Sequence, residues 1–160
     1  MSEDATADLE VVPTGRHYTG PDITVWYDAR RCRHAADCVH GNPAVFDTKR
    51  KPWILPELAS AEEVAEVVRR CPTGALHYRS EGGPDEPAVT PTVLEFRPDG
   101  AIWVRGDLRL EVDGTPIAER RAALCGCGRT GNRPFCDAAC VRPPARQPDE
   151  ATTTTTEPAF

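Results

Sequence analysis

Four of the seven cysteines in this 160-residue chain fall within sixteen residues, as Cys125-x-Cys127-x8-Cys136-x3-Cys140. Gly126, Gly128 and Gly131 separate them. Four thiols so close, on so flexible a segment, cannot all be independent core residues, and their spacing is that of metal ligands. A chain that folds around this segment must do so as a small loop with its ligands turned inward. The remaining three, Cys32, Cys38 and Cys71, form a second and looser pattern, with Pro72 directly after the last.

Each half of the chain is too short to build a large hydrophobic core, so bound metal is expected to supply part of the stability. The odd cysteine count argues against a closed disulfide framework. The stretch Met1-SEDATADLE is acidic and lacks the apolar run of a secretory signal, and no segment approaches a membrane span. These features lead us to expect a cytoplasmic protein with reduced thiols and no membrane contact. The formal net charge is −6, divided as −2 and −4 between the two halves. No basic surplus marks a nucleic-acid partner.

Periodicity divides the chain into five parts. Residues 1–17 show none and are expected to be disordered. Residues 18–79 form a first domain. Ile23, Val25 and Tyr27 alternate with polar neighbours as in a strand. Ser60-Ala-Glu-Glu63 is a capping box opening a helix whose face carries Ala61, Val64, Ala65 and Val68. Pro72 ends that helix near Cys71, and Ala75–Tyr78 reads as a closing strand. Residues 80–91 are a Gly/Pro-rich linker. Residues 92–142 form a β-rich second domain, with strands expected over Val93–Phe96, Ala101–Arg105 and Leu108–Val112. Turns fall at Pro98-Asp-Gly100 and Asp113-Gly114. The cysteine segment is expected as an irregular loop with a short helix near Cys136, N-capped by Asp137. Residues 143–160, with five consecutive threonines, read as a flexible tail.

Within the cysteine segment, Cys125, Cys127, Thr130, Pro134, Cys136 and Asp137 stand in one register. That register resembles the CDGSH-type iron–sulfur proteins, the mitoNEET group, with pattern C-x-C-x2-[ST]-x3-P-x-C-D-G-x-H. The resemblance extends to Val104-Arg-Gly-Asp107 and the strands around it. It implies a [2Fe–2S] cluster on Cys125, Cys127, Cys136 and the residue at 140, and often a homodimer. Two positions depart: the glycine of the motif is Ala138 and the histidine is Cys140. A thiolate at 140 removes the imidazole that titrates near neutrality, and adds negative charge that lowers the reduction potential. A structural Zn(Cys)4 site is the alternative, although zinc sites usually pair cysteines as C-x2–4-C.

Cys32, Cys38 and Cys71-Pro-Thr-Gly-Ala-Leu76 fit the C-x2-C-x2-C…C-P order of bacterial ferredoxins, with Ala35 in place of the second ligand. Together with Pro43, Val45-Phe46-Asp47 and Pro52-Trp53-Ile54, they resemble the divergent single-cluster 4Fe–4S ferredoxins. The resemblance implies a [3Fe–4S] cluster on three cysteines. A [4Fe–4S] cluster completed by His34, Asp37, water or a partner remains open, as does a vestigial domain without a cluster. His40, His77, Trp53 and Trp103 read as structural. Arg30, Arg31 and Arg33 crowd Cys32; such a run is either a solvated face or a dock for an acidic partner.

The resulting expectation is an α+β chain, a ferredoxin-like domain followed by a small β-rich CDGSH-like one. No nucleophile–base pair suggests an enzyme. The expected role is a soluble one-electron carrier serving a reductase or an oxygenase. The alternative is a cluster store, a carrier that loads an apo-acceptor, or a redox sensor.

Overall fold

The computed structural model describes residues 9–139. Residues 1–8 and 140–160, with Cys140 and the tail 143–160, lie outside the described residues; of the stretch 1–17 expected to be disordered, Arg16 and His17 are instead held in a strand by pairing with Tyr27 and Trp26. Two antiparallel three-stranded sheets carry the fold, one in each half. Among the described residues, the short helices belong to the first half.

The first sheet has the order β1-β2-β3, from β1 (Arg16–Thr19), β2 (Ile23–Tyr27) and β3 (Leu76–Ser80). Strand β1 starts at Arg16, at the edge of the stretch that carries no periodicity. It is a short edge strand on which only Tyr18 is buried, so it has no apolar pattern to read. In β2 the alternation holds: Ile23 and Val25 are fully buried. Helix α1 (Asp37–Gly41) is a single turn that carries Cys38. Helix α2 (Ala61–Arg69) begins at the expected capping box, with Ser60 and Glu63 bonded reciprocally. Its buried face, Val64, Ala65, Val67 and Val68, meets Val25, Val45, Phe46, Ile54 and Leu76 in one core. Trp53 packs edge-on to Tyr27 and against Phe46 at the rim of that core.

The second sheet has the order β4-β5-β6: β4 (Val93–Phe96), β5 (Ala101–Val112) and β6 (Thr115–Cys125). The two strands expected over 101–112 are one strand interrupted by a bulge between Arg105 and Leu108. Gly106 sits there, with Thr92 so close that a Cβ would lie 2.3 Å from its Oγ1. Asp113 (φ 50) and Gly114 (φ 78) form the hairpin turn into β6, as their sequence demands. The core of this half consists of two small groups. Val104, Leu108 and Ala122 form one; Ala101, Ala123 and Cys136 form the other, with Trp103 and Cys125 against it. No helix among the described residues is long and apolar enough to cross a membrane.

The halves meet in a buried polar seam. Arg31 donates from Nη1 to Glu119 Oε1 at 2.6 Å, and His77 bonds the other carboxylate oxygen at 2.9 Å. Arg121 lies between the halves and donates to the carbonyls of Val68, Cys71 and Leu76. Glu86, in the linker, accepts from Arg121 through both carboxylate oxygens. The linker is therefore part of the seam.

Candidate metal centres

Cys32, Cys38 and Cys71 come from three separate elements: the loop after β2, helix α1 and the turn after α2. All three line one small recess of about 30 Å³, beneath Tyr27 and Leu76. Ala35 lines the same recess and is exposed, so the position where the spacing calls for a ligand presents a methyl group. An open cleft of about 470 Å³ adjoins it, with His34, Trp53, Arg50 and Lys51 around Cys32 and Cys38. His34 (φ 57) and Ala36 (φ 65) both adopt left-handed backbone on either side of Ala35. The His34 amide thereby donates to Cys32 Sγ at 3.4 Å.

The electrostatics of the recess suit a cationic group. Burial raises the Cys38 thiol to about 11, and the neighbouring Cys71 pushes the same way. Tyr27 is held protonated by burial, by its hydrogen bond with Cys32 and by the negative charge that the three thiols would carry. Three thiolates this close repel one another unless positive charge lies between them.

The second set is built on the end of β6. Cys125 closes that strand, and residues 134–136 return alongside it. Cys125 N donates to Pro134 O at 2.8 Å, and Cys136 N donates to Ala123 O at 2.7 Å. The sulfurs of Cys125 and Cys127 lie 3.7 Å apart, the separation of two thiolates on one tetrahedral metal. The Cys125 thiol is shifted downward. Burial opposes the shift, but backbone amides at Thr130, Cys127 and Gly128 outweigh it. Gly128 (φ 77) supplies one of them, N to Sγ 3.2 Å. Gly126 is needed for a different reason: a Cβ would lie 2.4 Å from Gly100 O.

The short helix expected near Cys136 does not begin among the described residues, and Ala138, the first position after Asp137, has left-handed backbone (φ 64) rather than helical. The Asp137 carboxylate instead accepts from Gly131 N and Ala139 N, both at 3.0 Å, and ties the loop to its own end. These amides hold Asp137 below the usual carboxylate range. Thr130 Oγ1 donates to Phe135 O at 2.7 Å. The motif residues Thr130 and Asp137 are thus loop staples. Ala138 has φ 64, a conformation that glycine adopts freely. This accounts physically for the glycine of the motif.

Two observations fit an acceptor-rich inorganic group here. Trp103 Nε1 and Asn132 Nδ2 are buried without a hydrogen-bond partner among the described atoms. Trp103 packs on the core group containing Cys136 and Cys125, and Asn132 belongs to the cysteine loop. Among the described residues, no group of three or more Cys, His, Asp or Glu gathers as ligands of a single ion, in this loop or around Cys32, Cys38 and Cys71. Cys140, the fourth thiol expected from the sequence, lies outside the described residues.

The arginine run beside Cys32 proves to have acidic partners, and they belong to this chain. Arg30 pairs with Asp28, Arg31 with Glu119 and Arg33 with Asp99. Arg31 also stacks over Phe135, its Cζ 3.9 Å from the ring centre. Arg33 Nη1 donates to Cys136 Sγ at 2.9 Å. Sequence reasoning missed these pairs because nothing in a linear pattern shows which carboxylates a fold will return to a basic run.

Two iron–sulfur binding domains therefore share this chain, joined through a charged and buried seam. The chain belongs to the family described as the divergent 4Fe-4S mono-cluster, which matches residues 18–81. Residues 99–139 match the iron-binding zinc finger of CDGSH type. The uncharacterized protein YjdI of Escherichia coli K12 is 45% identical over 64 residues, which cover 84% of that protein and 40% of this chain. The YjdI of E. coli O157:H7 matches equally. No solved structure matches.

Proposed function

We propose that this chain is a one-electron carrier with two iron–sulfur centres. Cys32, Cys38 and Cys71 would hold a [3Fe–4S] cluster, or a [4Fe–4S] cluster completed at the corner near Ala35 by His34 or an outside ligand. Cys125, Cys127, Cys136 and Cys140 would hold a [2Fe–2S] cluster. Such clusters supply reversible one-electron chemistry when bound. The residues of the chain shield the thiols, donate hydrogen bonds to sulfur and fix the two sets relative to each other. The observation that carries the reading is the seam itself: Cys32 is one peptide bond from Arg33, whose guanidinium donates to Cys136. A cluster store has no use for two sites held this closely; a relay does. The partner would be a reductase or an oxygenase in the cytoplasm.

A second reading, a cluster donor or redox sensor, draws on one feature. Ala35 is exposed beside an open cleft of about 470 Å³, which suits iron exchange.

Anaerobically prepared protein separates the readings. The carrier should be brown, contain about five to six irons with matching acid-labile sulfide, and keep both clusters through repeated reduction and reoxidation. Ala35→Cys should convert an EPR signal of the oxidised N-terminal centre into one of the reduced state. One zinc with no sulfide would refute the iron–sulfur reading. Cluster loss to an apo-acceptor on each redox cycle would favour the donor.

A further inference from the structure

Arg33 touches both halves of the metal machinery, and the motifs assign it no role. Its backbone follows Cys32 directly. Its side chain, 9% exposed, crosses the seam. Nη1 donates to Cys136 Sγ at 2.9 Å, and Nη2 donates to Asp99 Oδ2 at 2.7 Å. Cys136 is itself 3% exposed, so this guanidinium meets the sulfur away from bulk water. A permanently charged donor on a buried thiolate is a strong interaction, and arginine keeps its proton at any working pH. Asp99 holds the fork in place, because its own position is fixed by the Ala101 amide at 3.1 Å.

We propose that Arg33 couples the two metal centres. It does so in two ways. Its charge favours the reduced, more negative state of the C-terminal centre and so raises that centre's potential. Its side chain also completes a continuous bonded route between the two cysteine sets: the Cys32–Arg33 peptide bond, the arginine side chain and one hydrogen bond to Cys136. With both centres filled, this route would let an electron supplied to one by an external one-electron donor protein pass to the other. No bond breaks, and the guanidinium keeps its proton. Arg33 is a positioning and tuning residue. The proposal rests on the two-centre reading above.

The test uses the full chain as wild type, Arg33→Met, Arg33→Lys and Arg30→Met. Arg30 is the control: it lies two residues before Cys32, is exposed and pairs with Asp28. EPR-monitored redox titration reads each centre separately, and flash reduction reads the rate of exchange between them. Arg33→Met should shift the C-terminal centre toward its oxidised form by roughly tenfold, about 59 mV downward for a one-electron couple. Exchange should slow by about tenfold or more if the charged hydrogen bond carries the route. Arg33→Lys keeps the charge and should restore at least half of the potential shift. Arg30→Met should match wild type. Wild-type potentials and rates in both Arg33 variants would overturn the proposal. So would equal losses in the two, since Arg33 would then only pack the seam. Should Arg33→Met fail to hold iron, Arg33→Lys against wild type decides through the exchange rate, where no slowing overturns the proposal. Metal and sulfide content distinguishes the two levels of failure: wild type with one centre sinks the two-centre reading and this proposal together, whereas two filled centres indifferent to Arg33 sink the proposal alone.

Discussion

Ala138 shows how a departure from a motif becomes a measurable strain. Its φ of 64 places a Cβ-bearing residue in left-handed backbone, beside the loop staple that Asp137 makes to Gly131 N and Ala139 N. Such a residue costs of order 1–3 kcal/mol, and glycine relieves most of that while losing some unfolded-state entropy. Ala138→Gly should therefore stabilise the C-terminal loop by about 1 kcal/mol. Slower loss of visible absorbance in mild denaturant would register the change; faster loss would mean that the Ala138 methyl contributes packing that outweighs the strain. The residue is 7% exposed, so that competing contribution is real and the sign of the result is informative.

At the scale of elements, the turn between α2 and β3 carries as much as the strands. Gly74 has φ 67, and a Cβ there would meet Arg121 O at 2.2 Å and Arg31 Nη2 at 2.5 Å. The Cys71-Pro-Thr-Gly-Ala-Leu76 run thus contains both a candidate ligand and the place where β6 of the other half crosses. Gly74→Ala should destabilise the folded chain by at least about 2 kcal/mol, because backbone strain adds to a clash with a carbonyl that cannot move. Equilibrium denaturation checks it, and a loss near zero would mean the seam has slack. This element also shows what the sequence could reveal. The capping box at Ser60, the apolar face of α2, the alternation in β2 and the Asp113-Gly114 turn are local signals, and each produced the expected element. Strand β6 sent no such signal. Its buried positions include Glu119 and Arg121 beside Ala118, Ala122 and Ala123, so the strand reads as polar and small. Those charges are buried because their partners come from residues over 30 positions away, which no window along the chain can contain. The same limit hid the roles of Arg31 and Arg33. The close placing of Cys125 and Cys127 was legible because their spacing is local; that Cys71 would join Cys32 and Cys38, and how the two sets face each other, depended on the fold.

For the whole molecule, the seam makes stability depend on acid. Burial pushes Glu119 upward, but hydrogen bonds from His77 and Arg31 outweigh it, and the group lies below the usual carboxylate range. A folded pKa below the unfolded one means that the stability from Glu119 is fully present above the unfolded value, about 4.3. It is lost as pH falls through the folded value. Glu119→Gln leaves Arg31 buried with half its partnership gone and should cost about 3–5 kcal/mol near neutrality. The gap in melting temperature between wild type and this variant should stay constant from pH 8 to about pH 5 and close in stronger acid. A gap independent of pH down to 3 would show that shape, not charge, is what Glu119 supplies.

The connector between the halves has a consequence for anyone who would take the molecule apart. Because Glu86 grips Arg121 inside the contact, the two cluster regions are not portable pieces. A fragment starting after the connector would carry a bare guanidinium and a bare carboxylate on an open face, and would be prone to clump or to seize a stranger. Cutting the backbone near Gly82–Gly83, upstream of Glu86, would leave both fragments clasped. Nicked protein should accordingly run as one species until salt or acid loosens the grip.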